Sequence, residues 1–288
     1  MFLLSLLMMS GFVSGQEVVM PRLGDWVADS VEIRGSVQGM AIQGRYAVSL
    51  RHGGQCLILD MRQRECVAAF QLEGDTTHCN NASFGKFFSS DRRDGTTSKG
   101  MFPLLYVSAC FGDKVCNVTE IGLEGSRIVQ KIFYDSPSFP VAQDWCVDAT
   151  ENMLYAFGGK RGGMMYLKQF ALPNPDLAEV HLNDDDVLRT IPITCVKVAQ
   201  GSRICDGYAY LPDGDSPGCY WLHIIDLSTG AEVFTIDLND IGHEPEGLDI
   251  QGRWLYVSFH TADARENKIV RYNLNKIHRK ICKKRSFR

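Results

Sequence analysis

Five short patterns in the 288-residue chain place polar groups where chemistry needs them: Gln38-Gly39, Asn80-Asn81, Asp144-Trp145, Gln200-Gly201 and Glu246-Gly247. Each opens an apolar run and offers an amide or a carboxyl at an equivalent position. Such groups supply donors and acceptors to a polar ligand, or oxygen ligands to Ca2+. The glycine that follows three of them removes a side chain and would let a ligand approach the backbone. His78 and His243 stand just upstream of their patterns, and Trp145 offers an aromatic surface beside them. Asp144 and Glu246 are the two acids of the set. Held roughly 6.5–9.5 Å apart, such a pair carries out inverting glycoside hydrolysis, which makes them candidate catalytic residues. The patterns also have a plainer reading, since polar residues at strand starts satisfy backbone groups and water.

The elements that carry these residues repeat. QGMAIQGRYAVSL (38–50) and QGSRICDGYAYL (200–211) share Gln, Gly, Ile and Tyr-Ala at the same offsets. QCLILDMRQRECVAAFQL follows the first and CYWLHIIDLSTGAEVFTIDL the second, each an apolar strand, a polar turn and another apolar strand. One unit is therefore four strands in about 40 residues, the size of a propeller blade. Three more units start at HCNNASFG, AQDWCVDAT and EPEGLDIQ. The expected fold is all-β: a five-bladed β-propeller of four-stranded antiparallel blades. The last unit lacks a fourth strand, and WVADSVEIR (26–34) reads as a strand without a unit. Pairing the two closes the ring through an N-terminal strand in the last blade and removes exposed sheet edges. No Pro/Ser-rich linker divides the units, so residues 16–288 are expected to form one domain. The polar insertion FFSSDRRDGTTSKG (87–100) reads as a mobile loop on one face.

With that repeat, the chain resembles secreted bacterial five-bladed β-propellers over nearly its whole length. More remotely, the Gln-Gly and Glu-Gly pairs that open its inner strands resemble those of glutaminyl-cyclotransferase-type propellers. This resemblance implies that the first strand of each blade lines a central channel. Gln38, Asn80 or Asn81, Asp144, Gln200 and Glu246 would then form one polar ring, with His78 and His243 at its rim. Five-bladed propellers also include glycosidases with acids on inner strands. That pattern requires three acids, and here the other ring positions are amides.

Residues 1–15, MFLLSLLMMSGFVSG, are apolar and uncharged, too short to span a bilayer, and end in small residues. They read as a signal peptide, placing the protein outside the cytoplasm, secreted or periplasmic. No later apolar stretch reaches membrane-spanning length, and a monomer is expected. All ten cysteines follow the leader, an even count that suits pairing. Cys110 and Cys116 flank a short loop between apolar runs, good geometry for a disulfide. Asn81-Ala-Ser and Asn117-Val-Thr fit the glycosylation acceptor pattern. Thirty Lys+Arg against 34 Asp+Glu give a net charge of −4, which argues against nucleic-acid binding. Eight of the basic residues fall from Arg271 onward, leaving 22 basic against 34 acidic side chains, −12, on the body. That basic tail, about 276–288, reads as a frayed end or as a segment that packs on the acidic body or binds an anionic surface. His260 and Asp184-Asp185-Asp186 read as loop residues, and GlyGlyLysArgGlyGly (158–163) as a hairpin loop. No CxxC, GxSxG or HExxH is present. Three readings follow: a propeller that binds a carbohydrate or peptide-like ligand at the channel mouth, an enzyme (glycoside hydrolase or cyclotransferase-like acyl transferase) using Asp144 and Glu246, or a protein-interaction scaffold.

Overall fold

The computed structural model describes residues 16–74, 77–91, 97–109, 115–137, 139, 142–159 and 163–286. The leader-like segment 1–15 and Cys110 lie outside them. The chain folds as a five-bladed β-propeller. From the centre outward, blade one is Val37–Gln43, Tyr46–Arg51, Gln55–Asp60 and Glu65–Gln71. Blade two is Ala82–Phe84, Leu105–Ser108, Cys116–Gly122 and Gly125–Tyr134, and blade three is Ala142–Asp148, Met153–Gly159, Met165–Ala171 and Arg189–Ile193. Blade four is Arg203–Cys205, Tyr208–Asp213, Trp221–Asp226 and Glu232–Asp237. Blade five is Glu244–Gln251, Trp254–His260 and Lys268–Asn273, completed by Gln16–Met20.

Turn chemistry accounts for the hairpins. Asp206 and Gly207 both take positive φ (50° and 76°) between the first two strands of blade four. This is the type I′ requirement, and its twist matches that of the flanking strands. Asp60 and Asp226 end the third strands of blades one and four. Each accepts backbone N–H bonds from two residues of the following turn, Arg62 and Gln63 in one case, Ser228 and Thr229 in the other.

The core is five wedges rather than one. Separate apolar clusters fill each interface between neighbouring blades: one and two, two and three, three and four, four and five, five and one. Middle strands such as Gln55–Asp60 and Trp221–Asp226 are buried over almost their whole length, because a neighbouring blade covers each of their faces.

Several sequence expectations need correction. The ring is closed by an N-terminal strand, but by Gln16–Met20, which pairs antiparallel with Lys268–Asn273 and adds a Glu17–Arg271 ion pair at 2.8 Å. Residues 26–34 form no strand, since that edge is already occupied. Instead Trp26 and Val27 both insert into the wedge between blades five and one. The insertion at 87–100 holds a two-stranded ribbon, Ser89–Asp91 with Thr97–Lys99. Glu179–Leu182 adds a fifth, parallel strand to blade two, so the connection from blade three reaches back over its neighbour. The basic tail is a helix, Leu274–Ser286, whose Leu274, Ile277 and Ile281 pack on the wedge between blades four and five. Asn81 and Asn117 are buried, so neither acceptor asparagine is accessible in the folded chain. No disulfide joins any two of the nine described cysteines, so the even count is no disulfide framework among the described residues; the expected Cys110–Cys116 bridge falls on Cys110, outside them. Among those residues, no helix is long and apolar enough to cross a membrane.

Candidate functional site

The inner strands bring most of the polar set together. Gln38 and Glu246 stand on the neighbouring inner strands of blades one and five, and Gln38 Nε2 donates to Glu246 Oε1 at 3.3 Å. Asn80 enters blade two, and its Nδ2 donates to Asp144 Oδ1 of blade three at 2.5 Å and to the Ala199 carbonyl at 3.4 Å. Asn81 turns its amide the other way, donating to the Trp145 carbonyl at 3.0 Å and to Ser202. All five of these polar residues are at most 4% exposed.

Their unused atoms are all of one kind. Gln38 Oε1, Asn81 Oδ1, Asp144 Oδ2 and Glu246 Oε2 are buried acceptor oxygens with no hydrogen-bond partner. Leaving one such group unpaired costs about 1–3 kcal/mol. Burial lifts the Asp144 carboxyl to about 7, although Asn80 and the Gly201 N–H favour its charged form. Burial, followed by the charges of Glu244 and Asp144, lifts Glu246 well above the usual carboxylate range. Two acids that hold their protons near neutrality, beside two amide oxygens, can donate and recover protons. With protons removed, the same four oxygens are a hard, oxygen-only donor set suited to Ca2+.

The glycines act differently from the sequence expectation. A Cβ on Gly247 would lie 2.3 Å from Met40 N, and one on Gly39 would lie 2.6 Å from the Asn81 carbonyl carbon. A Cβ on Gly201 would meet the Glu246 carbonyl oxygen at 2.9 Å. These glycines admit the inner strand of a nearby blade rather than a ligand, and so set how tightly the ring closes.

The other predicted residues are placed apart from that layer. Gln200 reaches outward, donating to Glu244 Oε1 at 2.5 Å and to the Gly214 carbonyl at 3.1 Å. The Trp145 ring is fully buried in the wedge between blades two and three and presents no face to the ring of amides and acids. His78 and His243 are half-buried at the rim. His52 faces His78 with their Nδ1 atoms 3.2 Å apart. His260 pairs in register with Glu244, so four of the seven histidines ring this mouth. Burial depresses His78, His243 and His260, helped respectively by His52, by Lys268, and by Arg51 with His243. They therefore stay neutral and able to accept a proton.

Sequence reasoning missed the layer below. Arg203, on the inner strand of blade four, pairs with Asp249 of blade five at 2.8 Å and donates to Ser83 Oγ and to the Val147 carbonyl. Asp249 also accepts the Ile42 N–H of blade one at 2.6 Å. One buried ion pair thus touches all five inner strands. Against its own burial, Asp249 holds Arg203 charged. Arg51, fully buried, donates to the Arg34 and Gly35 carbonyls near the rim. The only trace of these residues in the sequence was a charge inside an apolar strand.

Comparison with known proteins agrees with the fold. No protein-family model and no curated protein sequence matches the chain. Among solved structures, the tail fibre of Staphylococcus aureus phage P68 superposes with a TM-score of 0.58 at 12% identity. That match covers 91% of this chain, which spans only about half, 54%, of the tail fibre. Myxococcus xanthus glutaminyl cyclase superposes with a TM-score of 0.54 at 12% identity, over 90% of this chain and 97% of the cyclase. The chain is a five-bladed β-propeller with a remote structural likeness to the glutaminyl-cyclase type.

Proposed function

We propose that this propeller binds a donor-rich polar ligand, a carbohydrate or a peptide-like molecule, at the mouth of its inner-strand ring, and that it does so outside the cytoplasm as a secreted or periplasmic protein. One observation carries the reading: four buried acceptor oxygens, one each from the entry of blades one, two, three and five, make no hydrogen bond to another protein group. A fold that only needed to close its centre would fill those positions with apolar or mutually paired side chains. Hydroxyl or N–H groups of a ligand would satisfy acceptors that no protein group does. Ca2+ is the alternative occupant of the same oxygens. The depressed histidines and Glu244 form the approach.

The test is a thermal-shift panel on the wild type and on Asp144→Asn and Glu246→Gln. The probes are mono- and disaccharides, peptides with N-terminal glutamine, and CaCl2. At least one probe class should raise the wild-type melting temperature and leave both variants unmoved. If no probe moves the wild type, or if the variants respond equally, the ring is not the binding site.

A second reading is favoured by the Asp144 carboxyl near 7. A carboxyl titrating there is suited to move protons in acyl transfer, and glutaminyl cyclase is one of the structural neighbours. In such a reaction a ligand amine attacks an amide carbonyl, Asp144 takes the amine proton, and Glu246 supplies one to the departing ammonia. Ammonia release from a glutaminyl peptide by the wild type, absent in both variants, supports this reading; binding without release leaves only the first.

A further inference from the structure

A second cluster of metal-ligating side chains lies far out on blade four, remote from the ring. Cys195, on the connection from blade three, His223, on the third strand, and Glu232, opening the fourth, place one ligand atom each within 4.8 Å of the other two. The register shift between Ile224 and Ile225 brings Glu232 diagonally toward His223. Glu232 Oε1 sits 2.5 Å from His223 Nδ1. On the opposite edge of the ring, Asp213 Oδ2 stands 3.5 Å from the buried Nε2, within ion-pair range. Asp213 is itself fixed, because its other oxygen accepts the Lys197 and Val198 N–H groups.

We propose that Cys195, His223 and Glu232 form a binding site for a borderline-soft divalent ion of the Zn2+ class, with Asp213 as a positioning residue for the imidazole. Three arguments support it. The donor set combines sulfur, nitrogen and oxygen, the mixture that selects Zn2+ over Ca2+ or Mg2+. Two carboxylates flank a single imidazole, so the cluster holds an excess of negative charge in a site where His223 is only 7% exposed; a cation relieves it. Finally, a metal-ligating histidine usually turns its other nitrogen to a carboxylate, which is how Asp213 faces Nε2 while Nδ1 faces Glu232. Cys195 and Glu232 are partly open to solvent, which leaves an entry path and room for a water as fourth ligand. On binding, the thiol proton and the proton shared by His223 and Glu232 leave to solvent, and no electron transfer is involved.

The test uses the full chain, reduced and stripped with chelator, titrated with Co2+ alone and then with Zn2+ against a chromophoric competitor. About one equivalent of Co2+ should bind and give a thiolate charge-transfer band, which Zn2+ then abolishes. Cys195→Ser should remove the band, and Glu232→Gln should weaken Zn2+ binding by about tenfold or more. Asp213→Asn keeps an oxygen for the two backbone N–H groups but reverses the partner facing Nε2, and should cost about 10–100-fold in affinity with the band retained. Circular dichroism of each variant checks that the fold persists. The proposal is overturned if the wild type binds no stoichiometric metal, or if folded Cys195→Ser binds Zn2+ as tightly as the wild type. In either case the cluster is a buried ion-pair network. The ring variants should not alter this titration, so its outcome is independent of the function proposed above.

Discussion

Asp144 accepts the Asn80 amide on Oδ1, has the Gly201 N–H nearby, and makes no direct hydrogen bond through Oδ2. A carboxyl whose pKa rises on folding binds its proton more tightly in the folded chain. Its favourable contribution is complete below the unfolded value of 3.8 and is lost as pH climbs through about 7. Asp144→Asn should therefore leave stability unchanged near pH 4 and exceed the wild type by a margin that grows up to about pH 7 and then levels. Urea unfolding across that range measures it, and a margin of opposite sign, or one independent of pH, contradicts the assignment. Asp144 and Glu246 were legible because the repeat aligned them; their burial was not. Arg203 and Asp249 stayed hidden for a related reason. In RIC and LDI each looks like one polar residue on an ordinary strand, and only the stacking of five strands shows that both face the axis.

At the scale of elements, the inner strands depend on close approach. Gly247→Ala would put a methyl 2.3 Å from Met40 N and 2.6 Å from the Gln38 carbonyl oxygen, both backbone atoms that cannot swing aside. Blades five and one must then separate, at a cost of roughly 1–3 kcal/mol in chemical denaturation. An unchanged midpoint would show that the strands are not set by that contact. The sequence legibly held four strands per unit, because alternation and turn residues are local. It did not reveal Gln16–Met20 as the closing strand, since nothing local distinguishes QEVVM from WVADSVEIR as a partner for Lys268–Asn273. The C-terminal helix was masked by its basic residues. Its apolar side chains, Leu274, Ile277 and Ile281, are few, but their spacing puts them on one face. Glu179–Leu182 pairs with a blade that closed some forty residues earlier, a long-range contact that no local pattern encodes.

Across the whole molecule, five apolar wedges hold blade to blade, and the Arg203–Asp249 pair ties the five inner strands at the axis. Asp249→Asn removes the countercharge of the largely buried Arg203 guanidinium, which keeps its neutral partners Ser83 and the Val147 carbonyl, so the fold should lose about 3–5 kcal/mol. Loss of less than 1 kcal/mol by equilibrium unfolding, on the order of an exposed ion pair, would show that the axis does not depend on it. The layer above behaves in the opposite sense. There the acids are short of partners, a cost that the proposed ligand site would account for. The double variant Asp144→Asn, Glu246→Gln tests that claim most directly, by its unfolding free energy at pH 8 without ligand. The new amide N–H groups enter a layer of unpaired acceptor oxygens and two buried charges vanish, so the variant should be at least as stable as the wild type. A loss of about 1–3 kcal/mol would contradict this, and would make the two carboxyls structural members of the ring.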